Sequence, residues 1–213
     1  ISHGNITVGK PLSIIGTGYF LGSNQAPYTQ ANLGTAKVEK LTLSSGSTGT
    51  LISGLTINNN LAIESTSNVT ISRNLIKVGG RYIFITNSSN VLFTQNYSTS
   101  LIAVSDASTT ISNNIFVSDY QSNSRMVPFD FSSSNATISN NIFDRLNNDA
   151  PLLNLKNGST VNFSNNIHIS HGRDNTSIIC GTCPGGGSIV ATNNVSSDSS
   201  FANTNNSIFS QGI

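Results

Sequence analysis

One short phrase returns along most of this 213-residue chain and limits what it can fold into: an apolar residue, two small or polar residues, Asn, then apolar residues again. It reads Ile71-Ser-Arg-Asn74-Leu-Ile76, Phe93-Thr-Gln-Asn96-Tyr97, Ile111-Ser-Asn-Asn114-Ile-Phe116 and Ile138-Ser-Asn-Asn141-Ile-Phe143. It continues as Phe163-Ser-Asn-Asn166-Ile-His168 and, more weakly, Ala191-Thr-Asn-Asn194-Val195. Upstream, Leu51-Ile-Ser-Gly54-Leu-Thr-Ile57 reads as the same phrase with Gly in the Asn place. The register positions 54, 74, 96, 114, 141, 166 and 194 are 20, 22, 18, 27, 25 and 28 residues apart, so each step is one winding of variable length.

Before each Asn, apolar and polar residues alternate, as in Val69-Thr-Ile71 and Val91-Leu-Phe93, which is strand periodicity; no segment has a helical one. A strand of four or five residues with one apolar face is not stable alone. The windings must therefore stack, about 4.8 Å apart, with Ile, Leu, Val and Phe inward. This predicts an all-β chain, a parallel β-helix of about eight or nine coils and roughly 40 Å in length. The recurrent Asn tolerates left-handed backbone at a turn, and its amide both donates and accepts. Asn74, Asn96, Asn114, Asn141, Asn166 and Asn194 are accordingly expected to form a corner ladder, which Gly54 interrupts.

These repeats resemble those of the pectin-lyase-like superfamily over about residues 5 to 196, which implies a right-handed parallel β-helix. The opening stretch from Gly4 to Gly22 resembles the first coils of secreted β-helix proteins of Bacteroidota. That resemblance implies a secreted or cell-surface location. It also implies that residues 1–213 are one domain cut from a longer chain, with an N-terminal cap before Ile1 and a further segment after Ile213. Capless ends would invite end-to-end self-association or a capping partner.

Composition narrows the partners. Only 9% of residues are charged, against about a quarter in ordinary domains, and thirty are Asn. With a net charge of +1 and no Lys/Arg run, nothing attracts a phosphate backbone, so no nucleic acid is expected. No apolar run approaches a membrane helix, and membrane insertion is not expected. Cys180-Gly-Thr-Cys183 reads either as a small disulfide or as two free thiols; no second pair completes a zinc knuckle, and the spacing to His168 and His171 fits no common finger. N-x-S/T matches, among them Asn5, Asn68, Asn87, Asn96, Asn135, Asn157, Asn162, Asn175 and Asn194, fit a secreted chain but arise easily in Asn- and Ser-rich sequence.

If the chain were an enzyme, the resemblance implies a polysaccharide lyase or glycoside hydrolase. A lyase would pair carboxylates, holding calcium, with a basic residue; a hydrolase would use paired acids. Nine carboxylates are present, and none stands as Asp-Asp or D-x-D. The catalytic candidates lie in the longer C-terminal coils: His171 with Arg173 and Asp174, and Arg125 with Asp130; Asp144-Arg145 reads as a surface pair. His168 stands where Phe116 and Phe143 stand elsewhere and reads as a packing position. The five tyrosines, among them Tyr19 and Tyr97, show no platform spacing. Gly185-Gly-Gly187 has no following Lys-Ser/Thr and reads as a turn, and no sustained T-x-T row suggests an ice-binding face.

With few charges and no acidic cluster, the expectation is a noncatalytic module that spaces, adheres or binds polysaccharide or another cell-surface component, with no cofactor and no metal. The alternative is the lyase or hydrolase, for which fold resemblance alone is a weak warrant.

Overall fold

The computed structural model describes residues 2–20, 34–78, 83–117, 129–145, 152–170 and 186–196, with the side chains of Arg145 and Ser170 left aside. Among them there is no helix, and every strand pairing is parallel. A typical winding has three short strands, such as Ile83–Thr86, Val91–Thr94 and Tyr97–Ser98, followed one winding later by Ile102–Ser105, Ser108–Ser112 and Ile115–Val117. We refer to these as the first, second and third faces.

Second-face strands stack into an eight-stranded sheet. First and third faces share a thirteen-stranded sheet because Thr56–Glu64 serves both: its start pairs with Leu75–Ile76 and its end with Ile83–Thr86. The described residues thus form an all-parallel, curled β-solenoid. Isolated strands of two to five residues would be unstable, so the edge-on pairing of successive windings is what holds the structure.

The interior consists of columns. On the second face Ile52, Ile71, Phe93, Ile111, Ile138 and Phe163 follow one another in register and are fully buried. Phe116 and Phe143 stack on the third face with ring centroids 5.2 Å apart, and Phe129 meets both edge-on. Offset and edge contacts of this kind suit the ring quadrupole. His168 continues that column, in register with Phe143 and Ser196; it is buried, and its Nδ1 lies 3.1 Å from Ser196 Oγ.

Between the second and third faces the chain turns through one left-handed residue. That residue is Arg73, Gln95, Asn113, Asn140, Asn165 or Asn193, with φ of 55° to 58°. The recurrent asparagines one position later are therefore not the left-handed residues, contrary to the sequence expectation. Gly54, with φ of 72°, pairs through its N–H with the Arg73 carbonyl and belongs to this turn position; Leu55 takes the Asn place. The misassignment came from matching Gly54 to Asn74, when Ser53 is in register with Ser72.

The recurrent asparagines point inward and are almost fully buried. Asn96 Oδ1 accepts from both the backbone N–H and the Nδ2 of Asn74, at 2.9 and 3.1 Å. The same pair of bonds links Asn96 to Asn114, Asn114 to Asn141, Asn141 to Asn166 and Asn166 to Asn194. Each amide also caps a carbonyl of the preceding winding, as Asn114 Nδ2 does at Phe93 O, 3.0 Å away. Strand N–H and C=O groups that the turn would orphan are satisfied in this way, which a buried corner requires.

The corner between first and second faces uses buried hydroxyls, a feature absent from the sequence reading. Ser47 Oγ donates to Thr66 Oγ1, and Ser88 Oγ, Ser134 Oγ and Ser159 Oγ accept from Thr66 N, Ala107 N and Ser134 N. Ala107 interrupts the series.

Candidate functional site

Of the catalytic candidates, Arg125, His171, Arg173 and Asp174 lie outside the described residues, as do Cys180 and Cys183. Asp130 is on the first-face strand Phe129–Ser132, in register with Ala103 and Asn154. Its carboxylate forms an ion pair with Lys156 Nζ at 3.0 Å and accepts from Asn154 Nδ2 at 3.2 Å. Both partners of the ion pair are about a third exposed, so the contact organises the surface more than it stabilises the fold. Asp106 is not in the Asp130 column: the register of Ser105 with Ser132 puts it beside Ser133, where it takes a left-handed turn. Asp144 is on the third face, in register with Val117 and Ile169. Among the described residues no three His, Cys, Asp or Glu side chains come together in a metal-holding group.

The second face carries a different kind of site. Strand alternation sends one set of side chains inward and leaves the other set as outward columns along the solenoid axis. One column is Ser53, Ser72, Thr94, Ser112, Ser139, Ser164 and Thr192, a hydroxyl in seven successive windings, with Ile15 in its place in the strand before them. Ser112 Oγ donates to Thr94 Oγ1 at 3.2 Å within it. The signal for this column was present in the repeat, since each apolar residue before the turn is followed by Ser or Thr. A search for threonine alone passes over it.

Beside this column the face sinks into an open groove of about 260 Å³. Ser108, Thr110, Asn135, Thr137, Thr160 and Asn162 line it, with Asn90 at one end and Ala136 in the floor. Asn135 and Thr160 are already joined by a hydroxyl-to-amide hydrogen bond. Among the described residues no charged side chain lines the groove. Its donors and acceptors are amides and hydroxyls that stay un-ionised across the ordinary pH range. Such a surface can exchange hydrogen bonds with a neutral, hydroxyl-rich ligand but offers nothing to move a proton at a reacting centre.

Burial also sorts the sequons. Asn96 and Asn194 are about 2% exposed and engaged in the amide series, so neither can carry a glycan in the folded chain. Asn135 and Asn162 are exposed at the groove.

An aromatic group that sequence spacing did not reveal lies where the N-terminal winding meets the third face. Phe20 touches Tyr19 and Tyr97 edge-on, with ring centroids at 5.0 and 5.3 Å. Burial there pushes the Tyr19 phenol above its ordinary value. Tyr19 and Tyr97 are 78 positions apart, so only the stacking of windings brings them together.

The fold and the groove define a class: an all-parallel β-solenoid with an uncharged, hydroxyl- and amide-lined face. Comparison with protein-family models, curated proteins and solved structures gave no match to this chain.

Proposed function

We propose that this chain is a noncatalytic secreted or cell-surface module that holds polysaccharide against its second face. Its fold would be a right-handed parallel β-helix of about eight or nine coils with an asparagine ladder, of the pectin-lyase-like kind. The observation that carries this reading is the charge-free groove lined by Ser108, Thr110, Asn135, Thr137, Thr160 and Asn162. A neutral sugar chain presents many hydroxyls and no charge, and the groove answers with donors and acceptors repeated every winding. Rigidity favours the binding, because side chains fixed on stacked strands lose little freedom when a ligand arrives. Asp130 supports the noncatalytic side: Lys156 and Asn154 occupy its carboxylate.

Affinity electrophoresis through gels containing neutral polysaccharides tests the reading. The wild-type chain should be retarded by at least one of them, and Thr137→Ala combined with Asn162→Ala should abolish the retardation while the circular dichroism spectrum is unchanged. New reducing or unsaturated ends, released from any polysaccharide with or without calcium, would overturn the noncatalytic assignment. Equal retardation of the double variant would overturn the assignment of the groove.

A further inference from the structure

The outer surface of the third face has the opposite character. Tyr97, Ile115, Ile142, Ile167 and Val195 follow one another in strict parallel register. Their neighbours along each strand, Ser98, Phe116, Phe143, His168 and Ser196, are the buried ones, so this column faces outward. Ile115, Ile142, Ile167 and Val195 are 36% to 42% exposed, and Phe20, packed on Tyr97, is 49% exposed. The adjoining outward column of Val117, Asp144 and Ile169 adds two more aliphatic side chains. A ridge of apolar groups therefore runs along the solenoid for about 24 Å at 4.8 Å per winding.

A single exposed Ile needs no explanation, but an unbroken row does. The row leaves on the order of 400 Å² of contiguous apolar surface, a size at which a monomer's largest patch is often an interaction site. β-Branched aliphatics are a poor platform for sugar rings, which would favour flat aromatic faces, and among the described residues the aromatic groups stand at one end. What the ridge fits is another ridge of the same spacing. Its evenly spaced side chains allow a two-fold axis between Ile115 and Ile142, perpendicular to the solenoid. That axis sets Tyr97 against Ile167 of the second copy and Phe20 against Val195. An isologous contact of this kind closes on itself and stops at two copies. Two such ridges with their polar margins bury roughly 1,000 Å² in total, the low end of specific interfaces, so the pair should be reversible.

We infer that the third-face ridge is a homodimer interface, through which two copies of this chain pair side by side and antiparallel. This differs from end-to-end stacking, which would use the strand edges of terminal windings and continue beyond two. It involves none of the groove residues, so both grooves stay accessible in the dimer.

Sedimentation velocity of the chain over a hundredfold dilution from about 100 μM tests the inference, micromolar dissociation being the scale for an interface this small. The expected result is a monomer–dimer equilibrium with no larger species. Ile142→Lys should shift the apparent dissociation constant at least tenfold, and the milder Ile142→Thr should shift it in the same direction if the lysine variant fails to fold. Val190→Lys, an exposed apolar site on the second face, should leave it unchanged. A wild-type chain that stays monomeric throughout would overturn the inference. So would growth into longer oligomers that Ile142→Lys does not affect, which would report end-to-end association. Co-flotation of a monomer with phosphatidylcholine vesicles, lost in Ile142→Lys, would overturn it in favour of a lipid surface.

Discussion

Asn114, in the middle of the amide series, offers the sharpest test of what holds the corner. Its Oδ1 accepts from Asn96 N and Asn96 Nδ2, and its Nδ2 donates to Phe93 O, Ser112 O and Asn141 Oδ1. In Asn114→Ala most of these partners keep a second bond: Asn96 Nδ2 still reaches Ile71 O and Thr94 O, Ser112 O still accepts from Gln95 N, and Asn141 Oδ1 still accepts from Asn114 N. The buried N–H of Asn96 loses the acceptor it has. One unsatisfied buried donor costs about 1–3 kcal/mol, and each weakened bond adds about 0.5–1 kcal/mol. The expected loss is about 3–5 kcal/mol, a large part of the ~5–15 kcal/mol that holds a typical domain. Urea unfolding followed by far-ultraviolet circular dichroism should show the midpoint falling by about 1.5–2.5 M, for a denaturant dependence near 2 kcal/mol per molar. Asn114→Leu separates the two possible origins of the loss. Leu has the branched shape of Asn with somewhat more bulk, and Leu55 shows that the side chain fits a corner, yet it supplies no hydrogen bond. If hydrogen bonding is what the corner needs, Leu should cost as much as Ala. A Leu variant within about 1 kcal/mol of wild type would refute the reasoning and assign the corner to packing instead.

Three further outcomes follow from local geometry. Ala107→Ser should raise the urea midpoint, by about 0.5–1 kcal/mol of stability, because a hydroxyl there continues the series from Ser88 to Ser134; a lower midpoint would mean that the corner has no room for it. Gln95→Asn should stabilise by about 0.5 kcal/mol, since Asn adopts the left-handed turn at φ 57° more readily than Gln, less the exposed bond from Arg73; thermal unfolding would report it. Finally, the raised phenol of Tyr19 contributes stability that is fully present below the ordinary tyrosine pKa of 10.0 and is lost as pH rises through the higher folded value. Ultraviolet titration of tyrosinate should show a late step that disappears in Tyr19→Phe; an unchanged profile would remove the desolvation argument.

The strand-forming segments were legible because their cause is local. Alternation over Val91-Leu-Phe93 fixes which side chains share a face, but the left-handed turn was read one residue late, because Asn113, Asn140, Asn165 and Asn193 stand beside a second Asn and Arg73 and Gln95 are not turn formers by type. The corner of small hydroxyls was harder to see. Thr66, Ser88 and Ser134 are lost among many exposed Ser and Thr residues, and only their burial marks them. The site candidates were chosen by residue type and loop length. Only Asp130 falls among the described residues, and its partner Lys156 is 26 positions away, one winding down.

By itself, then, the sequence determined the repeating unit: short strands, a polar turn, an aliphatic and aromatic inner face, and an exterior almost without charge. Tertiary structure decided which outward residues stand above one another. Windings differ in length by up to ten residues, so no fixed spacing announces that Ile115, Ile142 and Ile167 form a ridge or that Thr110, Thr137 and Asn162 line a groove. The backbone hydrogen bonds between windings set that vertical alignment, absorbing the unequal lengths between the strands, and with it both surfaces on which a partner could rest.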